Sequence, residues 1–147
     1  MMRQKSVLFV CTGNFYRSRF SEIYFRNLCE NFNLNIEVFS VGFEVYKMSN
    51  KGPISKYTAE YLQELGIDFI KDRFPIQFEK EHFHHYDRII AMDEKEHKPM
   101  SQIYFPEFSD RLEYWRFEDI QFIDPYTVLP KLKARIDIFF DELLMNT

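Results

Sequence analysis

Two groups near the start of the chain have the types and spacing to do chemistry together. Cys11 follows the apolar run "VLFV", and Arg17 stands six positions further on, with Thr12, Gly13, Asn14, Phe15 and Tyr16 between them and Ser18 behind. The thiolate is the nucleophilic form of cysteine. The planar fork of an arginine grips two oxygens of a phosphate. A loop that joins a strand to a helix can turn its backbone N–H groups, and those of the first helical turn, onto one anion, and the helix dipole adds partial positive charge. Gly13 offers a place where the backbone turns tightly and approaches closely. A thiolate at the bottom of such a cradle is itself an anion and gains from the same donors. The result would be a nucleophile facing a bound phosphate. A free cysteine after an apolar strand also serves as a small buried hydrophobe, so the strand–loop–helix setting carries the weight. No Gly-Lys-Ser/Thr follows, which excludes a nucleotide P-loop.

The elements that must position these groups alternate along the chain. Ser6–Val10 reads as a buried strand, and Ser18–Phe32 has helical spacing with Phe20, Ile23, Tyr24 and Leu28 on one face. Ile36–Val41 is a second strand ended by Gly42. Pro53–Leu65 is a helix with proline in its first turn and Gly66 beyond its end. "YDRIIAM", Tyr86–Met92, is a third strand; Asp93 can cap the helix after it, which Pro99 should shorten or bend. Leu112–Phe117 is a fourth strand, and Val128–Leu144 closes the chain as an amphipathic helix packing Ile136, Phe139, Phe140, Leu143 and Leu144. Strand–helix alternation predicts an α/β fold, one three-layer α/β/α domain over residues 1–147 with a four-stranded parallel sheet. Ligands gather at the carboxyl ends of such strands, and Cys11 sits at one.

"VLFVCTGNFYRS" resembles the phosphate loop of the low-molecular-weight protein tyrosine phosphatases. A second mark is "FIDPY", Phe122–Tyr126, where that family carries Asp-Pro before its last helix; "SVG", "LGID" and "AMD" follow the family's order between them. The resemblance implies the phosphatase-I-like fold and hydrolysis of phosphotyrosine, on a protein or in a small aryl phosphate, through a phosphocysteine. It implies that Cys11 attacks phosphorus, that Arg17 binds the equatorial oxygens, and that Asp124 is general acid and then base. Thr12, Gly13, Asn14, Phe15, Tyr16 and Ser18 form the phosphate loop, Ser40 supports Asn14 from the second strand, and Tyr46 and Tyr126 wall the pocket for a flat ring. It implies no metal and no cofactor. Taken alone, Asp124 also reads as a turn residue before Pro125, Ser40 as a strand-end residue and Tyr46 as an ordinary loop residue.

The chain departs from the family's pattern in four places. Tyr16 stands where a second cysteine is common, so a disulfide within the loop is impossible. Arg19 stands where proline is usual, either adding positive potential or lying solvated at the surface. "GIDFIKDRFP" lacks the histidine that often supports the loop, with Lys71 near its place by counting from Gly66. Asp124-Pro125 is followed by one tyrosine instead of two.

Composition narrows the function classes. Net charge is −4 with no basic stripe, which argues against nucleic acid. No apolar run approaches the ~20 residues of a membrane span, and "MMRQKSVLFV" lacks the small-residue cleavage site of a signal peptide. Two cysteines, Cys11 and Cys29, make no disulfide framework, so a reducing, cytoplasmic setting is expected. "HFHH", His82–His85, with His97 further on, fits no structural zinc spacing. It reads as a polar segment, and "EKEHK" as a solvated helix start. Oligomeric state leaves no mark in the sequence. Two other functions share the loop: a non-catalytic module that binds phosphorylated partners, and an arsenate reductase, for which Glu79–Pro99 lacks the additional cysteines.

Overall fold

The computed structural model describes residues 4–49 and 52–146. Strand β1 (Lys5–Cys11) leads through the phosphate-loop segment into α1 (Arg17–Asn31) and β2 (Ile36–Gly42). Then come α2 (Lys56–Glu64), α3 (Glu81–His85), β3 (Arg88–Ala91), α4 (Glu94–Tyr104), β4 (Leu112–Tyr114) and α5 (Pro125–Met145). The sheet is parallel throughout, in the order β2-β1-β3-β4. β1 is central and pairs on both sides. The chain runs from β1 to β2 in one direction and then crosses to β3 on the other side. The carboxyl ends of β1 and β3 therefore flank the switch point where α/β sheets open a crevice.

The two-residue period of β1 divides the core. Val7 and Phe9 pack under α1, α2 and α5 with Phe20, Phe25, Leu62, Trp115, Leu132 and Phe139. Leu8 and Val10 face the opposite layer, where Phe43, Phe78, Phe83 and Ile89 are buried and Met100 and Tyr104 of α4 pack against them. Both faces of β1 are dry, which is why its sequence reads as an unbroken apolar run. Phe9 is fully buried, with the rings of Phe25, Trp115 and Phe139 at 5.8, 6.0 and 6.3 Å. Among the described residues no helix is long and apolar enough to cross a membrane.

Several boundaries differ from those expected. α2 starts at Lys56, not Pro53, because Ser55 caps it by accepting the Tyr57 N–H at 3.2 Å. Gly66, at φ 72°, ends it in the left-handed region, as its placement implied. Pro99 does not stop α4; the carbonyl it leaves without a donor is that of Lys95, and both residues are exposed. Asp93 precedes α4 without a side-chain cap. "HFHH" lies in a short helix that buries Phe83. β4 is only three residues long. Beyond it the backbone keeps to the sheet edge, with the N–H groups of Trp115 and Phe117 donating to the carbonyls of Ala91 and Met92 at 2.9 and 2.8 Å.

Replacing Phe9 by alanine should remove about 3–5 kcal/mol of stability, measured as a lower urea midpoint at unchanged slope. A loss below 1 kcal/mol would mean that the four-ring cluster does not hold the sheet to α1 and α5.

Candidate active site

The loop from Cys11 to Ser18 is shaped by Asn14, which is fully buried and held at φ 51°. The left-handed position falls on this residue; Gly13 is not at positive φ. Asparagine tolerates the conformation best among non-glycine residues because its short amide can bond locally. Here the amide is saturated. Its Nδ2 donates to Ser18 Oγ at 2.8 Å and to Ser40 Oγ at 2.9 Å, and its Oδ1 accepts from Arg73 Nη1 at 2.6 Å and from the Ile76 N–H at 3.0 Å. The carbonyls of Cys11, Thr12 and Phe15 are tied outward, to the N–H groups of Phe43, Glu44 and Ser55, each at 2.9 Å. The N–H groups of residues 13–18 donate to no protein acceptor among the described residues. Gly42 lies directly behind the loop, where a Cβ would come within 2.6 Å of the Thr12 carbonyl and 2.8 Å of the Asn14 nitrogen.

Cys11 Sγ lies 3.0 Å from Ser18 Oγ. Because Asn14 already donates to that oxygen, the Ser18 proton is directed at the sulfur. Ser40 in turn donates to Glu22. Glu22 is buried among three arginines: Arg19 and Arg73 reach its Oε1 at 3.0 and 3.3 Å, and Arg26 reaches Oε2 at 2.9 Å. Burial pulls the Arg73 guanidinium down to about 10, with Glu22 opposing the shift, so it stays charged at neutral pH.

Arg17 is 1% exposed. Its Nη1 donates to Glu96 Oε1 at 3.0 Å and to the Phe117 carbonyl at 2.8 Å, and its Nη2 donates to Glu96 Oε2 at 2.9 Å. Asp119 is next in reach, 3.8 Å from Nη2. The buried Nε has no partner among the described residues. Glu96 also accepts from the Thr12 hydroxyl. Beside it, fully buried His97 takes the Asp93 N–H on Nδ1 at 3.0 Å, which places the proton of the neutral ring on Nε2, 3.2 Å from Glu96 Oε2. Burial lowers the His97 pKa and keeps the ring neutral. Burial works against charge on Glu96, but hydrogen bonds from His97 and Arg17 outweigh it and hold the carboxyl well below the usual carboxylate range.

Cys11, Thr12, Gly13, Phe15, Tyr16 and Arg17 line an open cleft of about 1100 Å³, while Asn14, Ser18 and Ser40 stand behind it. Met48, Ile54, Tyr57, Ile120 and Phe122 add apolar wall. Tyr46 and Tyr126 are not in this lining: Tyr46 is exposed and meets Tyr104, and Tyr126 packs edge-on against Tyr57 with centroids 5.8 Å apart. Asp124 is also outside the lining and caps α5, accepting from the Thr127 N–H and hydroxyl at 3.1 and 2.9 Å. Asp93, Glu96 and Asp119 do line the cleft.

Three expectations are corrected here. The residue that bonds Asn14 from the segment after α2 is Arg73, two positions beyond exposed Lys71. Arg19 is neither solvated nor part of the cleft lining; it is buried against Glu22. "EKEHK" is not a solvated face, since Glu96 and His97 turn into the site. Their signal was the spacing Asp93, Glu96, His97, Met100, one helical face following a strand end. Cys29 is buried, and its thiol is pushed up to about 12, chiefly by burial.

A strand-end cysteine and a buried arginine that share one cleft, joined by a loop whose N–H groups lack protein acceptors among the described residues, make an arrangement suited to an oxyanion. The family model for low molecular weight phosphotyrosine protein phosphatase matches residues 6–128, and the chain belongs to that family. It is 35% identical over 92 residues to the low molecular weight phosphotyrosine protein phosphatase of Rattus norvegicus, a match covering 61% of this chain and 56% of that relative. The chain thus spans little more than half the length of that curated relative. Among solved structures, YfkJ from Bacillus subtilis superposes with a TM-score of 0.85 at 22% identity, covering 99% of this chain and 98% of the other. The YwlE arginine phosphatase from Geobacillus stearothermophilus gives 0.76 at 26% identity, over 97% and 94%.

Replacing Arg73 by alanine leaves Asn14 Oδ1 with one donor and takes one cation from Glu22. We expect a loss of about 1–3 kcal/mol in urea unfolding and at least tenfold weaker phosphate binding by calorimetry. Lys71→Ala should change stability by less than about 0.5 kcal/mol. Equal effects of the two substitutions would remove Arg73 from the support of the loop.

Proposed function

We propose that the protein is a phosphomonoesterase that cleaves phosphotyrosine, on a protein or in a small aryl phosphate, through a phosphocysteine. The observation that carries this is that Cys11, at the end of β1, and Arg17, at the start of α1, line one cleft, joined by a loop in which the N–H groups of residues 13–18 have no protein acceptor among the described residues. Cys11 Sγ attacks phosphorus, the P–O bond to the phenol breaks, and the leaving oxygen takes a proton from Asp124. Water then attacks phosphorus, Asp124 takes a proton from it, the S–P bond breaks, and phosphate leaves with the thiolate restored. Charge building on the equatorial oxygens meets the N–H groups and Arg17, which supply the positioning and electrostatic stabilisation that phosphoryl transfer needs. Tyr57, Ile120 and Phe122 give a flat ring an apolar wall. Delivery of the proton requires Asp124 to leave Thr127 and turn toward the cleft.

A second substrate class is favoured by the carboxylates around the cleft. Glu44, Asp93, Glu96, Glu118 and Asp119 line it, against the cations Arg17, Lys56 and Lys95. Such a mouth suits a cationic leaving group, and a phosphoguanidine is the one acted on by the arginine phosphatase that this fold resembles. Comparing kcat/KM for a phosphotyrosine and a phosphoarginine peptide of one sequence decides between them; the aryl reading requires at least a tenfold preference for phosphotyrosine.

General acid catalysis typically contributes roughly 100- to 10,000-fold, most for poor leaving groups. Cys11→Ser should abolish turnover and retain phosphate binding. Single-turnover rates on aryl phosphates of graded leaving-group acidity should show a steeper dependence in Asp124→Asn than in the parent. Asp119→Asn should leave the slope unchanged. The reverse result would move the acid to Asp119, and an unchanged slope in both would direct attention to Asp93.

A further inference from the structure

Arg17 has five N–H donors in a fixed plane. Three are engaged within the protein. Glu96 spans the end of the guanidinium, one oxygen to Nη1 and one to Nη2, and the Phe117 carbonyl takes the outer hydrogen of Nη1. The two donors that remain, Nε–H and the outer Nη2–H, are adjacent and parallel on the side edge of the same plane. They form the only unoccupied fork that could hold two oxygens of one phosphate. Nε is buried and unpartnered among the described residues, and the nearest carboxylate to Nη2 other than Glu96 stands off at 3.8 Å.

We propose that Glu96 is a positioning residue that rotates Arg17 so that its side edge, Nε–H with the outer Nη2–H, faces the phosphate of the substrate. The proposal rests on the phosphomonoesterase function given above and specifies how its arginine is aimed. Glu96 is itself fixed from behind. The Thr12 hydroxyl donates to Oε2, and His97 Nε2–H bonds the Thr12 oxygen at 3.1 Å while lying 3.2 Å from Oε2; His97 is in turn held by the Asp93 N–H and by the ring of Phe43, centroids 5.6 Å apart and nearly parallel. The carboxylate therefore has a single orientation, and the planar guanidinium inherits it. Without Glu96 the end edge would be free, and a phosphate could be gripped end-on or side-on. An oxyanion in the ground state would still bind, and would be relieved of a neighbouring negative charge. The transition state, which needs donors on particular equatorial oxygens, would lose them.

Glu96→Gln is nearly isosteric and turns one acceptor into a donor facing donors. We expect kcat for a nitrophenyl phosphate to fall at least tenfold, while inhibition by inorganic phosphate stays within threefold of the parent or tightens. A kcat within twofold of the parent, or phosphate affinity that weakens in step with kcat, would overturn the proposal. A measurement independent of turnover uses the ¹⁵N resonance of Arg17 Nε–H. Phosphate should shift it and slow its exchange with water in the parent, and should do so far less in Glu96→Gln. An Nε–H in the parent that ignores phosphate overturns the proposal whatever the kinetics. An Nε–H that responds as expected, in a parent that turns over no phosphomonoester, supports the aimed fork and removes the phosphatase function instead.

Discussion

The site depends on one buried amide. Asn14 occupies a backbone conformation that costs an L-residue roughly 1–2 kcal/mol, and it is kept there by four hydrogen bonds to three different segments of the chain. At about 1 kcal/mol net each, these outweigh the strain. The turn they enforce leaves the N–H groups of residues 13–18 without a protein acceptor among the described residues. The same amide fixes the direction of the Ser18 hydroxyl, and through it the polarity around Cys11. Ser18, Ser40, Arg73 and the Ile76 backbone are thus gathered on Asn14.

Around this amide the buried charges fall into two groups separated by the loop. Behind it, Glu22 is shared by Arg19, Arg26 and Arg73, one buried carboxylate with three guanidinium partners. In front of it, Glu96 engages Arg17. Glu22, Arg19 and Arg17 are buried, and a pair broken on one side leaves an uncompensated charge. Each group is therefore rigid for electrostatic reasons as well as steric ones. The rear cluster holds the shape of the loop, and the front pair fixes the attitude of the arginine that the loop presents.

The parts of this arrangement that were legible in the sequence are those written locally. An apolar run, a cysteine, a Gly-Asn pair and an arginine in succession specify a strand, a loop and a helix start without reference to the rest of the chain. Strand–helix alternation with short connections then leaves a parallel sheet as the economical solution. What was not legible depends on which face of a helix turns inward. Glu96 and His97 sit in a string of charged residues that looks solvated until the position of α4 above the end of β1 is known. Arg73 lies in a segment without regular structure, where counting from Gly66 cannot say which of two basic residues reaches back 59 positions to Asn14. Arg19 reads as a surface cation in the sequence because buried arginine is rare without a partner, and its partner, Glu22, is one helical turn on, on a face whose burial the local sequence does not reveal. The start of α2 shifted from Pro53 because a serine cap outweighs a proline two residues earlier.

The chain has a single tryptophan, and its location has a spectroscopic consequence. Trp115 is 7% exposed, between the rings of Phe9 and Phe139 and beneath the Arg135 guanidinium at 4.6 Å. Its emission will be that of a dry indole, blue-shifted and shielded from soluble quenchers. It is also two residues from Phe117, whose carbonyl holds Arg17, and its ring lies 6.1 Å from the Phe117 ring. The native fluorophore thus stands outside the cleft yet on the strand extension that anchors the arginine. Light from this one residue reports the integrity of the backbone that carries the site, without a label and without direct contact with whatever the cleft binds.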